Sequence, residues 1–332
     1  MNLEDALIDS ISFAMTPLQQ SIRDSAERFA RNFGRDGEGG RPGDLGLDAL
    51  AGDITELGFA RSEFPAVLIA EELGAGDAVK ALELLLPLPA LWFLAAAGRS
   101  ADFDRCLQRW SAGLGGPGLA IQREQGGQAR LWTLSATPAE EVVLVDVQEE
   151  GVRVDCLPAS RLAGTISPVL GDGPLHLTMG RGDPLHTLSG DCVDRDALAS
   201  ACGETVQLFS AILVGAMRCC TEAAYDYADQ RKSFGRPISH HQAVAIRLAD
   251  TLIACQGAEL LLHRIASVES GRDREDARLL SGQVAAASRI VFRDALQVFA
   301  AHGYIAESLA AKNYRVSNAL VAMIDAIAAI DG

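Results

Sequence analysis

The longest helical pattern in the chain, Asp196–Gln230, constrains what the C-terminal half can fold into. Apolar residues recur along it at the three- and four-residue spacing of a helix with buried faces. Gly235 and Pro237 end that helix, because glycine relaxes the backbone and proline cannot donate the helical hydrogen bond. A second helical pattern follows over Ser239–Ser270. The sequence therefore predicts two long helices joined by a tight corner.

The corner, residues 231–242, carries side chains suited to a phosphate and a planar ring. Arg231 follows the first helix, and Gln242 lies in the first turn of the second, with Ser239 predicted as the N-cap. A forked guanidinium beside the exposed N–H groups of a helix N-terminus is a good phosphate site. Phe234 in the turn could stack on a planar ring. The residues alone leave a second interpretation open, a plain corner whose arginine pairs with a carboxylate.

Two motifs in this half resemble those of the acyl-CoA dehydrogenase family. The first, Arg231–Asp250, has the pattern R-x-x-F-G-x-P-I-x-x-x-Q followed by L-A-D. The second starts at Gln297 as QVFAAHGY, continues to Glu307 and reaches Tyr314-Arg315. It is similar to the family's Q-x-x-G-G-x-G-Y…E…Y-R-D segment. The resemblance covers the C-terminal part well and the N-terminal part loosely.

The resemblance implies an α+β fold of the acyl-CoA dehydrogenase type, and the periodicity along the chain agrees with it. We expect an N-terminal helical domain over residues 1–112, a middle β-domain over 113–192 and a C-terminal four-helix bundle over 193–332. Short strands separated by turns suggest a small antiparallel barrel or sandwich in the middle. The predicted strands are Gly118–Gln122, Ala129–Ser135, Val142–Val147, Val152–Leu157 and Leu175–Met179.

The predicted helices fill the rest of the chain. Thr16-Pro17 opens the first, with threonine as cap and proline in the first turn. Further N-terminal helices are expected over Leu47–Leu57, Phe64–Leu73, Val79–Leu86, Leu91–Ala97 and Phe103–Ala112. The last two C-terminal helices are expected over Arg274–Ala301 and Ile305–Ile330.

Composition excludes several classes of partner. The net charge of −15 and the pI of about 4.8 argue against nucleic acid. Seven cysteines without a C-x-x-C pair indicate neither a disulfide framework nor a zinc site, and fit buried thiols in a reducing cytoplasm. The apolar run Ala81–Ala97 is interrupted by Glu83 and prolines, so no membrane span is expected. An acidic N-terminus argues against a signal peptide, and a cytoplasmic location is expected.

The resemblance implies an FAD site that is shared across a subunit interface. In the family, the arginine and glutamine of the first motif reach FAD held largely by a neighbouring subunit. By this resemblance the cofactor-binding residues are Arg231, Phe234, Gln242, Gln297, Ala300, Ala301 and Gly303. Ala300-Ala301 replaces the family's two glycines, and Val316 replaces the aspartate of Y-R-D. The added Cβ atoms are expected to narrow the approach to the cofactor phosphates.

The catalytic base is where the chain departs most from the family. The position of the usual glutamate falls at Ile324, and no glutamate occurs from residue 308 to the end. Asp325 is one residue out of register and is one candidate base. Some family members carry the base on the preceding long helix, at a position that falls here at Thr205. Glu204 beside it is the other candidate, although one residue turns a helix by about 100° and a solvated or capping role is the alternative.

The middle domain also departs from the family pattern. In the family, a T-E-P-x-x-G-S-D stretch and a W-I-[TS] stretch contact the flavin ring or the thioester. Both are missing here, and Trp132-Thr133 matches the second only weakly. The P-E-E-x-G-G type of loop is replaced by GFARSEF at residues 58–64. One flavin half-site, the corner, therefore matches the family, whereas the other elements are altered.

Two functions follow from this pattern. The first is a subunit of a flavin-dependent acyl-CoA dehydrogenase, active with a second subunit of the same type, on acyl-CoA substrates that include bulky steroid side chains. Electron-transferring flavoprotein would be its electron acceptor. The second is a non-redox structural partner, or a lyase-like protein, on the same scaffold without flavin. The run Ala319–Ile330 has only Asp325 to face water, which predicts burial against another subunit.

Overall fold

The computed structural model describes residues 15–31, 64–125, 128–136, 139–162, 175–182, 192–193, 195–267, 274–305 and 308–330. The predicted helix Leu47–Leu57, most of the GFARSEF segment and Glu307 lie outside the described residues. The helices and strands follow the order that the sequence predicts, with helices on both sides of a run of strands. The limits of the three expected domains stay a prediction.

The described N-terminal part is helical. Thr16 Oγ1 accepts a hydrogen bond from Gln19 N at 3.3 Å, which confirms the predicted start of the first helix. Asp77 caps α3 in the same way, accepting from Val79 N at 2.9 Å. The helices are α1 Pro17–Arg31, α2 Phe64–Gly76, α3 Ala78–Leu85, α4 Pro87–Ala96 and α5 Ser100–Ser111.

The first five described strands form one mixed sheet in the order β4-β3-β1-β2-β5. The prediction of an antiparallel barrel or sandwich was wrong, because β1 and β3 pair in parallel. The chain leaves β2 and crosses to the other edge of β1, so β3 enters the sheet with core on both faces. The strands are β1 Gly118–Gln125, β2 Gln128–Ala136, β3 Glu141–Gln148, β4 Gly151–Pro158 and β5 Leu175–Gly182.

The C-terminal helices pack around α6, which contacts α2, α4 and the three helices that follow it. Glycine lets α2 and α6 meet backbone to backbone, since a Cβ on Gly215 would lie 1.9 Å from the Glu71 carbonyl oxygen. A Cβ on Gly74 would lie 2.3 Å from the Ile212 carbonyl oxygen. The helices are α6 Arg195–Gln230, α7 Gln242–Ala266, α8 Arg274–Phe299 and α9 Leu309–Ala328.

Two helical segments, Ala78–Ala96 and Asp196–Gln230, are long and apolar enough to cross a membrane. Their most apolar windows are 78% and 83% buried inside the protein, as expected of helices that form a core. The run Ala319–Ile330 is likewise covered mainly by its own chain, with Leu320, Ile324 and Ile327 at most 1% exposed. The premise that another subunit must bury this run was therefore wrong.

Candidate functional site

The corner between α6 and α7 is a two-residue β-hairpin. Its strands are β6 Lys232–Ser233 and β7 Arg236–Pro237, and Ser233 pairs with Arg236 across the turn. The turn residues Phe234 and Gly235 have φ values of 51° and 79°, as a type I′ turn requires. Glycine adopts this backbone without strain, whereas a phenylalanine there is strained. The Phe234 side chain is 96% exposed, so its ring projects from the described chain.

Arg231 is fixed through its backbone and open at its side chain. Its N–H donates to the Tyr227 carbonyl at 2.9 Å, and its own carbonyl accepts from Ile238 N at 2.8 Å. The exposed guanidinium makes no ion pair with another described residue. The alternative interpretation, an arginine paired with a carboxylate, therefore finds no support among the described residues.

The start of α7 offers free backbone amides beside this arginine. The N-cap is His241, and its side chain makes no capping hydrogen bond. The prediction that Ser239 caps the helix was wrong, because Ser239 lies in a 3-10 turn, Ile238–His240, that delays the start of α7. The His241 imidazole instead fastens the hairpin, with Nε2 3.3 Å from the Ser233 carbonyl oxygen. Gln242 is the first residue of α7 and is exposed.

The second motif forms the end of α8. The α-helix ends at Phe299, and a 3-10 turn follows over Ala300–Tyr304. Ala300 has a φ of 51°, the left-handed backbone that glycine adopts most readily, and both Ala300 and Ala301 are exposed. Gly303 is required sterically, since a Cβ there would lie 2.9 Å from the Leu296 carbonyl oxygen. Gln297 Nε2 donates to the Tyr304 hydroxyl at 2.9 Å.

Tyr227 joins the two motifs. Its carbonyl holds the Arg231 N–H, and its ring centroid lies 5.2 Å from that of Phe299 and 6.0 Å from that of His302. Its hydroxyl is 3.4 Å from His302 Nδ1. The corner and the α8 turn are therefore packed together as one surface region, although 66 residues separate Arg231 from Gln297 in the chain (297 minus 231).

The candidate bases lie in different surroundings. Ile324 and Met323, at the family's usual base position, are 1% exposed and lie in the apolar core. Asp325 is exposed and accepts a hydrogen bond from Ser281 Oγ. Glu204 is 3% exposed and accepts from Ser200 Oγ at 3.2 Å. Thr205, next to it, donates to the Ala201 carbonyl at 2.6 Å.

Sequence reasoning missed a buried ionic cluster where α1, α2, α6 and α7 meet. Arg218 donates to Glu71 and to Glu72, each at 2.7 Å. His263 Nε2 lies 2.7 Å from Glu71 Oε2, and Arg23 Nε lies 2.7 Å from Glu72 Oε1. The available signal was the pair of glutamates inside the otherwise apolar helix FPAVLIAEELGAG.

Two acids of this cluster, Glu71 and Glu259, have pKa values shifted in opposite directions. Burial opposes ionisation of Glu71, but the His263 hydrogen bond and the Arg218 charge outweigh it, so the pKa of Glu71 is lowered. Burial, together with the charge of Glu71, raises the pKa of Glu259, which lies in the same cluster. The cluster therefore holds one carboxylate charged and favours the protonated form of the other.

A second missed acid, Asp294, ties α7 to α8 near the second motif. Asp294 is 2% exposed and accepts from Arg247 Nη1 at 2.8 Å and from Arg293 Nε at 2.9 Å. Asp294 precedes Gln297 by one helical turn. The ion pair therefore fixes the end of α8 against the helix whose start completes the corner.

Known proteins share both the C-terminal sequence and the fold. Residues 207–323 match the family model described as acyl-CoA dehydrogenase, C-terminal domain. A benzylmalonyl-CoA dehydrogenase of Aromatoleum aromaticum is 31% identical over 128 residues, covering 37% of this chain and 33% of that protein. The matches span only a quarter to a third of the length of the first curated relatives.

Two solved structures of glutaryl-coenzyme A dehydrogenases have the same fold. One, in complex with glutaryl-CoA, superposes with a TM-score of 0.67 at 16% identity, covering 93% of this chain and 92% of the other. The other, from Mycobacterium smegmatis in complex with FADH2, gives a TM-score of 0.66 at 14% identity, covering 93% and 91%. At these identities the superpositions establish the architecture of the chain.

Proposed function

The chain belongs to the acyl-CoA dehydrogenase family, and from this membership we propose that it is a subunit of a flavin-dependent acyl-CoA dehydrogenase. The observation that carries the proposal is the corner, where Arg231, Phe234 and the uncapped start of α7 are all open. The enzyme would introduce a double bond between the α- and β-carbons of an acyl thioester. Its oxidoreductase class, its acyl-CoA substrate and its cofactor are part of the proposal.

The corner fits the diphosphate of FAD. A guanidinium without an ionic partner among the described residues and the amides of a helix N-terminus together favour a doubly charged anion. Gln242 lies at the same helix start, and Phe234 supplies a ring face. Bound FAD would accept the hydride from the β-carbon of the substrate. The residues of this chain would position the cofactor through its phosphates and exclude water from them.

The second motif contains a left-handed residue where the family has glycine. Ala300 adopts the left-handed backbone in spite of its Cβ, and Ala301 follows it in an exposed turn. We infer that the added Cβ atoms strain this turn but leave it in place beside the corner. Gln297 and Gly303 would complete the same cofactor surface.

Exposed apolar side chains around the corner support a second subunit as the partner. Phe234 is 96% exposed, Ile246 52%, Ile253 67% and Tyr304 62%. Ile246 and Ile253 are seven residues apart on α7 and therefore point to the same side of the helix. A cluster of this kind on a surface that also holds half of a cofactor site is typical of a subunit interface. The proposed partner is a second acyl-CoA dehydrogenase-type chain.

The base would come from that partner. At the usual base position, Ile324 and Met323 are packed in the core and cannot take a proton. Glu204 is the candidate within this chain, because its buried carboxylate lies on the long helix that also leads to Arg231. Asp325 is exposed and hydrogen-bonded to Ser281, and we place it second.

The remaining elements of the proposal follow from the reaction class. The resemblance to shortened, two-subunit members of the family suggests a bulky substrate, and steroid side-chain acyl-CoA is the proposed substrate class. Electron-transferring flavoprotein would reoxidise the flavin in the cytoplasm. These assignments rest on family membership together with the altered base position.

An Arg231→Ala substitution tests the cofactor site. Loss of a charged hydrogen bond is worth about 1.5–3 kcal/mol, so the assembled complex should bind FAD roughly ten to a hundred times more weakly. Flavin absorbance per protein after gel filtration gives the measurement. Arg264→Ala is the matched control, since Arg264 is an equally exposed arginine at the far end of α7. Equal flavin content in both variants would remove the corner from the cofactor site.

A Glu204→Gln substitution tests which subunit supplies the base. If the partner supplies it, turnover of the complex should change by less than about tenfold, because the substitution keeps the size of a side chain that takes no part in the proton transfer. Steady-state turnover with an electron acceptor dye gives the measurement, and flavin content controls for assembly. A loss of activity of a thousandfold or more, with flavin retained, would move the base into this chain.

The replaced base favours one further candidate function. A chain with Ile324 at the base position could serve as a non-redox structural partner, or as a lyase-like protein on the same scaffold. Co-expression with a neighbouring dehydrogenase subunit separates the two functions. A stable complex without flavin absorbance would favour the second.

A further inference from the structure

Two cysteines face each other where the N-terminal helices meet the sheet. Cys106 lies on α5 and Cys156 on β4, and their sulfur atoms are 4.0 Å apart. A disulfide has sulfur atoms about 2.0 Å apart, so each sulfur would need to move by about 1 Å. We propose that Cys106 and Cys156 form a reversible thiol–disulfide pair that a hydroperoxide oxidises, linking α5 to the sheet.

Charged groups surround the pair on both sides. Arg105 donates to Glu141 at 3.0 Å and to Asp102 at 2.7 Å. The Cys106 thiol lies 3.5 Å from Glu141 Oε2 and can donate to it. On the other side Arg99 joins Asp102 and Asp155, the residue next to Cys156. Cys106 and Cys156 therefore lie at the edge of the apolar core, beside charged side chains.

The two thiols differ in reactivity. A hydrogen bond from the Cys106 thiol lowers the pKa of Cys156 more than burial raises it. The same hydrogen bond and burial raise the pKa of Cys106. Cys156 is half-buried, whereas Cys106 is 1% exposed. Because Cys156 is the more accessible residue of the two, it is assigned as the attacking thiolate and Cys106 as the resolving thiol.

The chemistry balances with one hydroperoxide. The Cys156 thiolate attacks the peroxide oxygen, the O–O bond breaks, and a sulfenic acid forms with release of alcohol or water. The Cys106 sulfur then attacks the sulfenic sulfur, the S–O bond breaks, and its oxygen leaves as water with the thiol proton. Two thiols lose two electrons in total, and the hydroperoxide gains them.

A metal ion is the competing occupant of these residues. Ligand atoms of Cys106, Cys156 and Glu141 all lie within 4.8 Å of one another. The Glu141 carboxylate, however, already accepts from the Arg105 guanidinium, whose positive charge repels a cation at the same place. The geometry therefore favours the disulfide.

The test is peroxide titration of the folded protein, or of its complex if it forms one. Alkylation of free thiols, digestion with trypsin and mass spectrometry follow. Oxidation should join the peptides Cys106–Arg109 and Val154–Arg161, and should do so several-fold faster than Cys192 is oxidised. The link should vanish with dithiothreitol and raise the melting temperature by several degrees, because it closes a long loop. Cys192→Ser, at the exposed cysteine, should leave the link unchanged.

Single variants assign the two roles. Cys156→Ser should leave Cys106 fully alkylated after peroxide treatment. Cys106→Ser should trap a sulfenic acid on Cys156 that dimedone labels. Oxidation of Cys192 while both other thiols stay reduced would overturn the proposal, as would an unlabelled Cys156 in Cys106→Ser. One zinc ion per chain as purified, with both thiols protected from peroxide, would replace the disulfide by a metal site.

Discussion

At the scale of single residues, strain marks the corner. Phe234 occupies the first turn position of a type I′ hairpin, where asparagine or glycine is the favoured residue. Its ring is 96% exposed and contributes little to the core of this chain. Because the backbone is strained and the aromatic ring is exposed, we infer that Phe234 serves binding and not folding.

Replacing Phe234 by asparagine should separate stability from binding. Asparagine tolerates the left-handed backbone, so the free energy of unfolding should rise by about 1 kcal/mol. Loss of the ring should lower flavin retention and complex formation. Thermal unfolding of the chain and gel filtration with its partner give the two measurements. Leu114→Asn, at another exposed apolar side chain, should change neither. A destabilised Phe234→Asn variant with full binding would show that the ring serves the fold.

Some features of the corner and of the α8 turn could be predicted from the sequence, and others could not. The position of Arg231 at the end of a helix was predictable, because Gly235 and Pro237 act on the backbone locally. The cap of α7 was not, since Ser239 lies in a 3-10 turn that packs against both α6 and α7. The left-handed Ala300 was not predictable either, because alanine gives no local sign of that backbone.

At the scale of helices and strands, the hydrophobic periodicity and the turn residues predicted where the elements lie. How the strands pair depends on tertiary contacts. All five predicted strands are present, with bounds a few residues longer. The parallel pairing of β1 and β3 depends on a crossover, and strand periodicity carries no information about pairing partners. The ionic cluster around Glu71 was hidden for the same reason, since its members come from four helices far apart in the chain.

The ionic cluster should make stability depend on pH through Glu259. Its pKa is raised in the folded chain, so the folded state holds the proton more tightly than the unfolded state. That contribution to stability is complete below the unfolded pKa of about 4.3 and is lost as the pH rises through the folded pKa. Glu259→Gln should therefore be more stable than the wild type at pH 7 to 8, and the difference should shrink towards pH 4.

Chemical denaturation across this pH range gives the measurement. Glu149→Gln, in the exposed turn between β3 and β4, removes a charge without burial and should follow the wild-type curve. A Glu259→Gln variant that is less stable at neutral pH would mean that the carboxylate is charged there and stabilised by Arg218.

At the scale of the whole molecule, the described core is closed by residues of this chain, whereas the cofactor site as proposed needs a second subunit. Its last helix is covered by its own neighbours, so folding does not require another subunit there. Several exposed apolar residues lie on α7 and in the two motifs, among them Phe234, Ile253 and Tyr304. Expressed alone, the chain should fold and associate through that surface without stoichiometric flavin.

Light scattering and the ratio of flavin to protein test this expectation. Ile253→Asp places a charge on the exposed side of α7 and should abolish association, whereas Leu18→Asp on α1 should leave it unchanged. Co-expression with the partner should restore flavin to the wild type and not to Ile253→Asp. A monomer that carries one FAD by itself would contradict the shared site.

The close crossing at Gly215 has a mechanical consequence. The backbones of α6 and α2 are in direct contact at this crossing, so the two helices cannot slide past each other without a clash. We expect them to move as one rigid unit. Helix α4 packs against both α6 and the strands β1, β3 and β4. A covalent link between α5 and β4 would restrict movement of the sheet relative to these helices.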